Sequence, residues 1–151
     1  MNSLIEFATT DDLPAMADLL AELFTLETDF QPNREKQLAG LQLILDNPAL
    51  GRLFVLRLEG NVAGMANALI TISTSEGAHV LLLEDVIIKT EYRGKGLGRQ
   101  LVEHVLAWAK AEGLSRVTLL ADRDNTEALN FYAHMDFQPS AMSVLRKSLS
   151  G

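Results

Sequence analysis

Between residues 79 and 113 the hydrophobic pattern changes period once, and it changes across a run of glycines. The first part, ending in "LLLEDVIIK", is an apolar stretch with the length of a buried strand over residues 79–88. The last part places Leu97, Leu101, Val105 and Ala109 on one helical face, with Gly113 available to end the helix. Between them lies "EYRGKGLGRQL", in which Gly94, Gly96 and Gly98 alternate with Lys95 and Leu97 and are bounded by Arg93 and Arg99. A strand delivered through a basic glycine turn into a helix restricts the chain to α/β architectures.

The flanking pattern agrees. "LIEFA" reads as an opening strand, and a first helix follows with Thr10 or Asp11 as cap, Pro14 in its first turn and Leu13, Ala17, Leu20 and Phe24 on one face. A second helix is expected over Glu35 to Leu45. "RLFVLRL", the turn "EGN" and "VAGMANALITI" predict an antiparallel hairpin, followed by the turn "STSEG" and the strand of residues 79–88. Beyond the glycine turn, "RVTLLA" predicts a buried strand, "NTEALNFYAHM" a short helix and "AMSVLRKSL" a closing strand. Strands that are first antiparallel and later alternate with helices give a mixed sheet flanked by helices. No repeat or linker divides the 151 residues, so residues 1–151 are expected to form a single domain.

Composition removes several function classes. With 20 acidic and 13 basic residues the net charge is −7, which argues against nucleic acid as a partner and makes the local cluster Arg93, Lys95, Arg99 stand against the global sign. There is no cysteine, hence no thiolate nucleophile, and the three histidines lack metal-ligand spacing, so no metal is expected. No apolar run is long enough to span a membrane. "MNSLIEFATTDD" has neither a basic n-region nor an apolar core, so the expectation is a cytoplasmic protein without a secretory signal.

The glycine turn is not a P-loop, because no Gly-Lys-Ser/Thr triplet follows at the required spacing. The dinucleotide fingerprint also fails in both registers: its last glycine would fall on Arg99 or on Leu101. What remains is Arg93-x-x-Gly96-x-Gly98 at a strand-to-helix junction, where glycines admit close approach and the free N–H groups of the helix point at an anion.

"RGKGLG" resembles the acyl-coenzyme A pyrophosphate loop of the GNAT superfamily of N-acetyltransferases, Gln/Arg-x-x-Gly-x-Gly/Ala. "DNTEALNFYAHMDF" is similar to that family's second signature, with Asn125, Ala128 and an aromatic-Tyr pair, except that Asp136 occupies the usual glycine before Phe137. Asp tolerates unusual backbone angles, so a small local adjustment is expected there. The order of elements matches along nearly the whole chain. The resemblance implies acetyl-CoA as cosubstrate. Val86, Ile87 and Ile88 would lend backbone groups to it, with the Val86 N–H as oxyanion donor. Arg93, Gly94, Lys95, Gly96, Leu97, Gly98 and Arg99 would hold the pyrophosphate, and Asn125 and Ala128 would contact the pantetheine arm. Family members often dimerise, so a homodimer is an expectation.

Tyr132 stands where many family members keep the tyrosine that protonates the departing thiolate. It also shares a helical face with Ala128, Phe131 and Met135, which leaves a packing role open. Glu84 and Asp85 interrupt an apolar strand, and strand alternation would put them on opposite sheet faces. "LLLEDVII" resembles the strand of polyamine acetyltransferases in which this glutamate lies near the amine, so Glu84 reads as a base for the acceptor or as part of a structural pair. Glu27 and Asp29 fall where the family's substrate groove is walled, or else belong to a solvated face. The resulting expectation is transfer of an acetyl group to a primary amine, most simply a small cationic one, by direct attack in a ternary complex. A protein lysine or N-terminal amine as acceptor, or a catalytically silent coenzyme A-binding regulator, are the alternatives.

Overall fold

The computed structural model describes residues 2–26 and 33–150, so Glu27 and Asp29 lie outside the described residues, as does the side chain of Phe24. Two units are distinguished, Met1–Leu120 and Ala121–Gly151.

The first unit is built on one sheet in the order β1-β2-β3-β4-β5. Its strands are β1 (Ser3–Phe7), β2 (Gly51–Leu58), β3 (Asn61–Ser73), β4 (Ala78–Ile88) and β5 (Val117–Leu119). The first three pairings are antiparallel and β4 pairs β5 in parallel, giving the mixed sheet that the pattern predicted. Helices α1 (Leu13–Leu26) and α2 (Arg34–Leu45) pack on one face: Met16, Ala17, Leu20 and Leu41 meet Leu53, Val55, Met65 and Ile87. Alternation sends Phe54 to the other face, where Trp108 and His104 of α3 (Leu97–Ala111) meet its ring edge-on at 5.3 and 5.9 Å. Leu97, Leu101, Val105 and Ala109 are all buried there, and Gly113 ends the segment at a φ of 80°.

The start of α1 differs from the expectation. Thr9, not Thr10 or Asp11, is the cap: its N–H and its hydroxyl donate to Asp12 Oδ2 at 2.8 and 3.2 Å, opening a 3-10 turn over Thr10–Asp12. Asp12 serves two elements at once, because Arg57 of β2 grips both its oxygens at 2.8 Å. That bidentate contact compensates a carboxylate left only 6% exposed and holds its pKa below the usual range.

Two strand expectations are corrected. β5 is neither long nor buried; only Val117–Leu119 joins the ladder, at the sheet's edge, and Leu120 is exposed. In the second unit residues 141–149 form no strand, and Met142, Val144, Leu145 and Leu149 are exposed. Alternation alone cannot make a strand, and no strand lies among the described residues of that unit to supply a ladder. The unit's regular element is α4 (Thr126–Ala133), capped by Asn125, whose side chain accepts from the Ala128 N–H at 3.0 Å. Ala128, Phe131, Tyr132 and Met135 are half-buried while the other residues from 124 to 136 are exposed, which is the single face read from the sequence. Asp136 follows at a φ of 68°, filling the left-handed position a glycine would otherwise take.

Candidate active site

The β3–β4 ladder is regular until it reaches the two acids. Asn67 pairs with Glu84, but the next pair registered is Met65 with Ile87, so Asp85 and Val86 together oppose Ala66. This is a β-bulge, and Asp85 takes it up in the left-handed region at a φ of 52°. The bulge overturns the expectation that Glu84 and Asp85 occupy opposite faces. Glu84 shares a face with its partner Asn67, and Asp85 turns to the same residue, accepting from Asn67 Nδ2 at 3.0 Å. Burial raises the Asp85 pKa, outweighing the opposing effect of the Asn67 hydrogen bond. Asn67 itself is 5% exposed, and its Oδ1 has no hydrogen-bond partner among the described residues. Asn67 escaped the sequence reading, although a lone amide within "GMANALITI" was the available signal.

Past the bulge, β4 offers backbone groups on its outer edge. Lys89 N–H donates to Ala63 on β3, so alternation turns the Ile88 groups the other way, where the Ile88 carbonyl accepts from Arg93 Nε at 2.9 Å. Val86 lies two residues earlier on that same edge. β5 pairs only Leu81, Leu82 and Leu83, so no described strand runs beside Val86, Ile87 and Ile88 on that side.

The glycine turn completes the arrangement. A 3-10 turn over Thr90–Tyr92 leads into Gly94 and Gly96, both at a φ of 77°, with Gly96 as the N-cap residue of α3. The first backbone bond within the helix runs from Gln100 N–H to the Gly96 carbonyl. The N–H groups of Leu97, Gly98 and Arg99 therefore have no acceptor in the helix and concentrate its positive pole at the turn. A Cβ placed on Gly94 or Gly96 would meet nothing within 4 Å, so the space over the turn is open. Two of the three cations are held loosely around it. Lys95 Nζ stands 5.8 Å over the Tyr92 ring, and Arg99 pairs with Glu103 across one exposed helical turn at 2.8 Å. Such an exposed pair is worth only about 0.3–0.5 kcal/mol, so Arg99 can exchange it for an anion at little cost. Arg93 is the exception, fixed on the Ile88 carbonyl.

In the second unit, Tyr132 meets Phe131 and Phe137 edge-on at 5.0 and 5.5 Å, and burial pushes its hydroxyl up to about 12. Asn125 Oδ1 is committed to the Ala128 N–H, which leaves its Nδ2 as the group able to reach a ligand.

The sequence profile of the Acetyltransferase (GNAT) family matches residues 13–137, covering the bulge, the glycine turn and α4. This chain belongs to the GNAT acetyltransferase family. The mouse N-alpha-acetyltransferase 80 is 40% identical over 60 residues, which are 40% of this chain and 18% of the mouse protein. The chain therefore spans only a minor part of that relative's length. Among solved structures, a possible acetyltransferase from Clostridium difficile 630 superposes with a TM-score of 0.88 over 100% of both chains at 17% identity. A predicted acetyltransferase with acetyl-CoA from Clostridium acetobutylicum gives 0.80 over 97% of this chain and 96% of its own, at 12% identity. These likenesses establish the GNAT fold. No helix among the described residues is long and apolar enough to cross a membrane.

Proposed function

We propose that this GNAT chain is a single catalytic domain that transfers the acetyl group of acetyl-CoA to a small primary amine, by direct attack with both substrates bound. The observation that carries this reading is the turn at the head of α3. Two left-handed glycines, three free helical N–H groups and open space above them suit a diphosphate. Beside it, the unpaired edge of β4 suits an extended amide-bearing arm. Acetyl-CoA supplies the acyl group as a thioester.

The chain's own residues would then divide the work. Val86 N–H would hydrogen-bond the oxyanion that forms at the carbonyl. Ile87 and Ile88 would align the arm, Arg93 through Arg99 would hold the phosphates, and Asn125 and Ala128 would contact the arm from α4. An alkylammonium must lose a proton before it can attack, at a cost of about 4 kcal/mol at pH 7. Glu84 would accept that proton, directly or through water, and Tyr132 would protonate the departing thiolate. Cytoplasmic location and a homodimer belong to the same proposal.

Free-thiol release from acetyl-CoA, followed across a panel of primary amines, tests it. Amine-dependent thiol release is the expected result. Tight acetyl-CoA binding without thiol release would instead mark a coenzyme A-binding regulator. The mouse N-alpha-acetyltransferase 80 gives a reason to include peptides with a free N-terminus in the panel.

A further inference from the structure

The face of the sheet that carries Asn67 and Glu84 continues into an apolar groove. The next same-face pair along the ladder is Leu69 with Leu82, about 7 Å further on at two residues of strand rise. Leu69 and Leu82 both line a groove of about 480 Å³, whose wall includes Leu43, Ile44 and Leu50 from α2 and the segment after it. Among the described residues, Thr71 and Asn47 supply the only polar side chains of that lining, and none of the lining side chains is a carboxylate.

Asn67, one same-face pair back along the ladder from Leu69, is in an unusual state. The amide is held with Nδ2 donating to Asp85 Oδ2, which leaves Oδ1 as an open acceptor. A carbonyl oxygen buried this deeply and left unmatched is destabilising, and an N–H donor would relieve it. Primary ammonium groups carry three donors and no acceptor. The acceptors gathered on this face, Asn67 Oδ1 with the Asp85 and Glu84 carboxylates, complement that group. Removing one proton leaves two N–H groups to be held while the lone pair is free to attack.

We propose that Asn67 Oδ1 and Asp85 receive the N–H groups of the acceptor, and that the neighbouring groove takes an apolar body attached to it. The acceptor class is thus a monoamine with an aliphatic or aryl body, not a polyamine. A methyl terminus laid on these leucines and the isoleucine gains apolar burial, whereas a second ammonium gains none and meets no carboxylate among the described lining residues. This inference rests on the acetyl-transfer reading above and narrows its substrate.

Hexylamine and 1,6-diaminohexane form the matched test, since they share a reacting end and differ only in the far terminus. Thiol release should favour hexylamine by at least 10-fold in kcat/KM. Leu43→Glu, at an exposed position of the groove, should move the preference at least 10-fold toward the diamine. Asn67→Ser should raise the KM for hexylamine at least 10-fold, and acetyl-CoA affinity by calorimetry should be unchanged in both variants. If Asn67→Ser is misfolded by circular dichroism, the Leu43→Glu ratio decides. An active enzyme that prefers the diamine, or a Leu43→Glu variant with an unmoved ratio, overturns this inference alone. Absence of thiol release with every amine overturns acetyl transfer and this inference together.

Discussion

Replacing Gly96 separates the anion-binding role of the turn from its structural role. Gly96 adopts a φ of 77°, where an L-residue costs about 1–2 kcal/mol, but a Cβ there meets nothing within 4 Å. The stability loss of Gly96→Ala or Gly96→Glu is therefore bounded by backbone strain. For a chain of this length, about 2–4 °C of melting temperature per kcal/mol gives a fall of roughly 2–8 °C. Binding is a separate matter. A carboxylate held about 4 Å from a phosphate charge is repelled by about 1 kcal/mol in a water-like medium and about 4 kcal/mol at an effective dielectric of 20. The Gly96→Glu variant should thus lose roughly 5-fold to 1000-fold in acetyl-CoA affinity, and Gly96→Ala less. Calorimetric titration with acetyl-CoA alongside thermal melts and circular dichroism makes the comparison. A native spectrum and modest melting shift together with a large loss of affinity are expected. Unchanged affinity in Gly96→Glu would refute the assignment of the turn to an anion.

Three further substitutions address the acids and the tyrosine. With its hydroxyl pushed up to about 12, Tyr132 keeps its proton throughout ordinary assay conditions, so wild-type kcat should show no tyrosine ionisation below about pH 11; Tyr132→Phe should lower kcat roughly 10²-fold with acetyl-CoA affinity kept, and a wild-type single-turnover rate would return the ring to packing. Glu84→Gln should make kcat/KM climb on toward pH 9 while the wild type levels off at the pKa of its base, whereas parallel profiles with equal kcat would remove Glu84 as the base. Asp12→Asn should destabilise the fold by about 3 kcal/mol at pH 7, because Arg57 keeps only Glu6 at 2.7 Å. Since the folded pKa of Asp12 is lowered, the stability it contributes is present above its unfolded value of about 3.9 and is lost as pH falls toward the folded one; the gap between the two melting curves should narrow below pH 4, and a constant gap would refute the pairing argument.

The parts legible in the sequence were those fixed by period and by glycine. The four apolar residues of α3, the hairpin of β2 and β3, and the half-buried face of α4 follow directly from spacing. Asp136 was legible because a family pattern marked the position as one that needs a left-handed residue. Asp85 adopts the same backbone region, and nothing in "LLLEDVII" signals it, because a bulge is set by the ladder on the neighbouring strand. Missing the bulge also meant missing that Glu84, Asp85 and Asn67 converge. The closing strand failed for a related reason: residues 141–149 have the composition of a strand, but pairing is decided by a partner and not by the segment itself.

The unpaired margin of β4 also affects how the protein behaves in a crowded solution. Backbone amides left open along a strand are a template for any extended peptide, including a strand from a neighbouring molecule. On this chain the stretch without a described neighbouring strand is short, bent by the bulge, and followed by Lys89, Glu91 and Arg93. These are the features by which natural sheets discourage adhesion between edges. An extended ligand arm laid along that margin would occupy the same backbone groups that an intruding strand would need.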